Sequence, residues 1–184
     1  DFSGAAELKP PASESILIRD ATERDAGAIA RLANQAYRGD ESRAGWTTEA
    51  DLLGGQRTDR AMVLDMMPDA RFRLLFEDAA LLASVQIGLV DAETAEIGML
   101  AVAPGRQGEG IGRRLLSDAE AVASLQLGRQ RLQMRVLHQR TELIEYYQRQ
   151  SYQPTGQTAP FPESPRFGNP LVDDLWFVVL EKTL

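Results

Sequence analysis

Three glycines at alternating positions, Gly108, Gly110 and Gly112, stand between an apolar segment and two arginines, Arg113 and Arg114. Glycine lets a backbone approach a ligand with no Cβ in the way. If a helix begins here, its first N–H groups lack intrahelical partners and carry positive partial charge. A loop of free N–H groups at a helix start is an anion site, best suited to phosphate. Two common phosphate motifs do not fit. A P-loop requires Lys and then Ser or Thr after its last glycine, to hold terminal phosphates and magnesium, and Arg113 and Arg114 occupy those places. The dinucleotide fingerprint G-x-G-x-x-G requires a third glycine where Arg113 stands. The spacing that remains is Gln107-x-x-Gly110-x-Gly112. The plainer alternative is a glycine turn that only joins a strand to a helix.

The neighbouring residues supply both elements. Ile97 to Val102 carries no charge, as a strand covered on both faces should, and Pro104-Gly105 stops it. Ile111, Leu115, Ala119, Val122 and Ala123 fall on one helical face, with Gly128 as a C-cap. Upstream, Ile16–Ile18 reads as a first strand. Thr22 with Asp25 starts a helix whose apolar stripe is Ala26, Ile29, Leu32 or Ala33, and Ala36, ending at Tyr37. Trp46-Thr47-Thr48-Glu49 leads into a second expected helix stopped by Gly54-Gly55, and Thr58 to Met67 into a third helical piece. Phe72, Leu74 and Phe76 alternate with charged residues as a strand does, and Leu81 to Val90 completes a hairpin. Gln130 to Leu137 is a strand, Thr141 to Gln150 a helix, and Tyr152 to Thr155 begins another strand. A proline-bearing loop spans 159–170, and Leu175 to Leu180 closes the chain.

Composition excludes several kinds of chemistry. With 184 residues, 43% of them hydrophobic, the chain can bury a core as one domain, expected over 15–184 behind a loose tail at 1–14. No apolar run reaches a membrane span and no charged, apolar, then small leader opens the sequence, so the expectation is a cytoplasmic protein that engages no membrane. Cysteine is absent, which removes disulfides, thiol nucleophiles and cysteine–metal sites, and the single histidine excludes H-E-x-x-H zinc chemistry. No metal is expected. The formal net charge of −7 repels nucleic acid and favours cationic acceptors.

The loop Gln107-x-x-Gly110-x-Gly112, after an apolar strand ending Val102-Ala103-Pro104, resembles the Q/R-x-x-G-x-G/A pyrophosphate loop of the GNAT superfamily of acetyl-CoA-dependent N-acetyltransferases. The order β-α-α-β-β-β-α-β-α-β-β is similar to that whole fold from Ser15 to Leu184. The resemblance implies a three-layer α/β fold: a mixed, mostly antiparallel sheet of about seven strands flanked by helices, with a splayed central parallel pair. It implies acetyl-CoA as co-substrate and a small-molecule or peptide amine as acceptor, with a homodimer as an allowed assembly. A non-catalytic acyl-CoA sensor is the rival reading.

The resemblance also assigns residues. Backbone N–H groups of Gln107, Gly108, Glu109, Gly110, Ile111, Gly112 and Arg113 would hold the pyrophosphate. Arg106, Arg113 and Arg114 are candidates to add charge. Leu100 and Val102 would bond the pantetheine amides in a slot left where the strand from Gln130 splays away. An N–H near Leu100 or Ala101 would face the acetyl oxygen, and Gly98 would mark the bulge that opens the slot. Glu96 stands eleven positions before Gln107, the spacing of members with a glutamate base on this strand. A lysine-like amine has a pKa of about 10.4 and a free Glu about 4.3, so the proton must leave through a perturbed carboxyl or a water. Glu49, Glu142 and Glu145 are reserves. Leu143 to Tyr152 resembles the A-x-x-L-Y-e-k-x-G-F segment, which places Tyr147 as the acid for the departing thiolate and Tyr146 as its substitute. Arg140 stands where the family often has Asn, and Ser151 where it has Gly. Trp46, Tyr37 and Phe161 would wall the acceptor pocket, and His138 reads as a structural hydrogen-bonder.

Overall fold

In the computed structural model, which describes residues 15–184, two helical layers enclose a sheet in the order β1-β3-β4-β5-β6-β9-β7. These strands are β1 (Ile16–Asp20), β3 (Ala70–Glu77), β4 (Ala80–Leu89), β5 (Thr94–Val102), β6 (Arg131–Leu137), β7 (Gln153–Pro160) and β9 (Trp176–Thr183). Two short strands, β2 (Leu53–Gly54) and β8 (Asn169–Pro170), pair separately. All neighbours in the large sheet run antiparallel except β5 and β6. The architecture is therefore the mixed, mostly antiparallel seven-stranded one expected. The tail expected over 1–14 lies outside the described residues.

Alternation along β3 and β4 separates the two layers. Phe72 and Leu74 pack with Ala26, Ile29 and Ala30 of α1 (Ala26–Tyr37) and with Val63 of α2 (Arg60–Met66). Leu75, Val85 and Ile87 pack with Leu115, Leu116 and Ala119 of α3 (Ile111–Ala121) and with Leu143 and Tyr147 of α4 (Thr141–Arg149). Each helix thus buries the stripe its sequence carries, the largest favourable contribution to the fold. Thr22 and Asp25 form the expected capping box, one turn before α1: the Thr22 N–H donates to Asp25 Oδ2 at 2.8 Å. Gly128 takes φ +65° after the π-helical end of α3, Val122–Gln126.

The helix expected after Trp46 does not form. Hydroxyls there compete for backbone groups. Thr47 Oγ1 donates to Ala36 O at 3.1 Å, and Thr48 Oγ1 accepts from the Ala50 N–H at 3.1 Å. The Glu49 carboxylate bonds guanidinium groups from elsewhere in the chain. The segment becomes turns leading to β2, whose pairing with β8 folds the proline-bearing loop against the core.

Candidate active site

The parallel pair at the sheet centre separates partway along. β5 pairs β6 only from Thr94↔Arg131 to Ile97↔Met134, although β5 continues to Val102 and β6 to Leu137. The parting coincides with a bulge opposite β4: Ser84 pairs Ala101 and Gln86 pairs Gly98, so Met99 and Leu100 together face Val85. The bulged residue is Met99, at φ +48°, rather than the Gly98 expected from its lack of a side chain. A bulge re-phases everything after it. Ala95 and Ile97 point to the α3 side, Met99 to the α1 side, and Leu100 and Val102 to the α3 side again.

The same shift decides which backbone groups are available. The Ala103 N–H bonds Leu82 O of β4 at 2.9 Å, so by alternation Ala101 also faces β4, while Leu100 and Val102 face the slot. Ala101, expected to offer an N–H toward the slot, is committed to the sheet. The carbonyls of Leu100 and Val102 already accept hydrogen bonds, from the Tyr37 hydroxyl and from Gln107 Nε2 respectively. Their N–H groups are the open donors of the slot.

The glycine loop lies at the end of this slot. Gly108 and Gly110 take φ +84° and +81°, a region that L side chains avoid, and a Cβ at either would meet nothing within 4 Å. A Cβ at Gly112 would stand 3.2 Å from Val102 Cγ2, so this glycine lets α3 approach β5. Arg114 is the first helical residue whose N–H finds an intrahelical carbonyl, Gly110 O at 3.0 Å. The N–H groups of Ile111, Gly112 and Arg113 precede it, at the positive end of the helix. A cavity of about 370 Å³ opens over them, lined also by Trp46, Tyr146 and Arg149. Arg106 is tied to Glu77 Oε2 at 2.6 Å and to Glu109 Oε2 at 2.8 Å, so it supplies no free charge here. The Gln107 side chain is a strap: Oε1 accepts from the Trp46 N–H at 2.8 Å and Nε2 donates to Thr47 Oγ1 at 2.8 Å. A Cβ at Gly45 would stand 2.4 Å from that Oε1, so glycine there makes room for the strap.

A second cavity, of about 320 Å³, meets the first at Tyr37, Leu100, Leu143 and Tyr147. Tyr147 thus stands at the junction, and burial pushes its phenol well above the ordinary tyrosine value, which keeps it protonated. Tyr146 lines only the loop-side cavity. Glu96 lines only the second, where its carboxylate accepts from Gln133 Nε2 at 2.8 Å and Arg135 Nε at 3.0 Å. Glu49 sits between two arginines, accepting from Arg38 Nε at 3.2 Å and Arg140 Nη1 at 2.9 Å, with all three side chains at most 10% exposed. Glu142 and Glu145 are exposed and line neither cavity. Phe161 lines the second cavity, Trp46 the loop-side one and Tyr37 both. His138 stacks on Trp176, centroids 4.0 Å apart, and its Nε2 is 2.7 Å from Asp174 O.

Sequence reasoning did not find the Arg38–Glu49–Arg140 cluster, because its members lie 11 and 91 positions apart. Arg140 was visible as a departure from Asn. It anchors Glu49 and packs over the Tyr37 ring, 5.4 Å from its centroid.

Solved structures share this fold. A GNAT family acetyltransferase from Elizabethkingia anophelis with acetyl-CoA bound superposes with a TM-score of 0.64 at 18% identity, covering 92% of this chain and 98% of that one. A ribosomal-protein-alanine N-acetyltransferase from Brucella melitensis gives 0.66 at 18%, covering 91% and 99%. A spermidine N-acetyltransferase variant from Vibrio cholerae gives 0.65 at 13%, covering 91% and 93%. No curated protein matches the sequence significantly. The model of the acetyltransferase (GNAT) family matches residues 28–152, well over half the chain and inclusive of the bulged strand, the glycine loop and Tyr147; the chain belongs to the GNAT acetyltransferase family.

Proposed function

We propose that this protein moves an acetyl group from acetyl-CoA to a primary amine by direct attack of the amine. One observation carries the reading: the open N–H groups of Leu100 and Val102 line a slot that ends at the glycine loop and the free N–H groups of α3. This line of donors fits a ligand with amides at one end and a diphosphate at the other. Open space above Gly108 and Gly110 gives the diphosphate room. When bound, acetyl-CoA supplies the activated acyl group as a thioester.

Each residue then has a chemical task. The backbone from Gln107 to Arg113, through Gly108, Glu109, Gly110, Ile111 and Gly112, holds the phosphates, and Arg113 adds charge. The Val102 N–H bonds a pantetheine amide. The Leu100 N–H is aimed at the oxygen on which negative charge grows during acyl transfer, where a fixed donor lowers the barrier most. Glu96, already held by Gln133 and Arg135, orients the water that receives the amine's proton. Tyr147 donates to the departing sulfur. Full transfer from a phenol of pKa about 10 to a thiolate whose acid has pKa about 8.5 costs about 2 kcal/mol. Burial adds to that cost, so Tyr147 acts first as a hydrogen-bond donor, with the Arg140 guanidinium offsetting part of the cost.

Two measurements test this. Coenzyme A should raise the melting temperature where ATP and NAD do not. Thiol release from acetyl-CoA should then require an amine. Tight coenzyme A binding with no turnover across a broad amine panel would overturn the catalytic reading in favour of an acyl-CoA sensor.

A further inference from the structure

The acidic chain encloses a cationic cavity. Its net charge of −7 points to cationic acceptors, yet the cavity beyond Tyr147 is lined by four guanidinium groups, Arg38, Arg57, Arg135 and Arg140, against two carboxylates, Glu49 and Glu96. Glu49 is taken by Arg38 and Arg140, and Glu96 by Arg135. Arg57 is left over. Among the described residues its guanidinium makes neither an ion pair nor a hydrogen bond; only its backbone N–H is engaged, with Asn34 Oδ1 at 2.6 Å. The same cavity is walled by apolar surface from Met62, Met66, Phe161 and Phe177.

We propose that the acceptor is an amine that also carries a carboxylate and an apolar side chain, an amino-acid-like molecule whose carboxylate is held by Arg57. The inference rests on the acetyl-transfer reading above and narrows its acceptor. A guanidinium presents planar, paired donors that match a carboxylate. The apolar wall accommodates the side chain. A polyamine would instead bring further positive charge into a cavity that already holds an excess of it, which like-charge repulsion disfavours.

Matched amines that differ only in the carboxylate test the proposal. Initial rates of thiol release are measured for L-phenylalanine against phenethylamine, for L-leucine against 3-methylbutylamine, and for spermidine. The carboxylate-bearing member of each pair should be preferred by about 100-fold in kcat/KM, and Arg57→Gln should reduce that preference below about tenfold. Equal rates within each pair, or spermidine faster than both amino acids, would overturn it. A binding measurement needs no turnover. With coenzyme A present, N-acetyl-L-phenylalanine should raise the melting temperature and N-acetylphenethylamine should not, and Arg57→Gln should abolish the difference. Equal shifts, or none, overturn the carboxylate site. A protein that discriminates these two ligands but acetylates no amine removes the transfer reading and leaves the site standing.

Discussion

Tyr147→Phe separates chemistry from stability better than any other substitution in this site. Tyr147 is 6% exposed, and its ring meets Tyr146 and Tyr152 edge-on at 5.3 and 6.0 Å, contacts that phenylalanine keeps. Among the described residues its hydroxyl bonds no protein group, and it is not one of the unpartnered polar atoms sealed from solvent, so the substitution deletes no native hydrogen bond. Stability should stay within about 1 kcal/mol of wild type. For a chain of this size that keeps the melting temperature within about 2–4 °C. The catalytic effect is far larger. A positioned acid contributes about 10²–10⁴-fold, so kcat should fall at least about 100-fold, or about 2.7 kcal/mol of barrier. Coenzyme A affinity, set at the glycine loop, should hold. Because the working form is the protonated phenol and burial raises its pKa above 10, wild-type kcat should show no alkaline decline from this group below pH 10. The assays are thiol release from acetyl-CoA over pH and a thermal melt of both proteins. A kcat within about threefold of wild type, with the melt unchanged, would refute the reasoning.

Three further outcomes follow from the structure. Gly110→Ala places a Cβ at φ +81°, which costs about 1–2 kcal/mol, and sets it where the phosphates must approach; calorimetric titration should show coenzyme A bound at least about tenfold more weakly. Glu49→Gln leaves two buried guanidinium groups without their anion, a loss of about 3–5 kcal/mol that lowers the melting temperature by roughly 6–20 °C; an unchanged melt would show that the cluster is not structural. The Arg19 guanidinium beside Asp25 holds its carboxyl down at about 2, below the unfolded value of 3.8. The stability this adds is present above about pH 4 and is lost as pH falls toward 2, so Asp25→Asn should flatten the urea midpoint over that range.

What the sequence makes legible is local. Gly108 and Gly110 announce the loop because only glycine takes such φ values without strain. The α1 stripe and the alternation of Phe72, Leu74 and Phe76 announce their elements because periodicity records which face is buried. What it hides depends on long-range partners. Met99 gives no sign that it will bulge, since its positive φ is imposed by β4 pairing on one side and by the burial of its side chain under α1 on the other. Glu96 reads as a free carboxylate until β6 delivers Gln133 and Arg135 to it. Thr47, Thr48 and Glu49 read as a helix start until Ala36 claims the side chain of Thr47, Ser42 that of Thr48, and Arg38 and Arg140 that of Glu49.

The hidden contacts converge on the polarity of the slot. A splayed parallel pair should expose donors and acceptors alike on each strand edge. Here Tyr37 and Gln107 cover the carbonyls of Leu100 and Val102, which leaves an edge that mainly donates. Acyl transfer builds negative charge on oxygen, so a donor-rich edge favours the transition state while an exposed carbonyl there would oppose it. Burial raises the Tyr37 pKa and keeps its proton in place for this task, and Arg140, lying over the ring, helps to fix it. Gln107 makes the same point from the loop. Its side chain takes no part in holding phosphate in this geometry; it binds the Trp46–Thr47 turn to the end of β5 and occupies the Val102 carbonyl in doing so. A residue marked by its spacing from the glycines is thus one whose side chain sets the slot's polarity, while its backbone belongs to the anion loop.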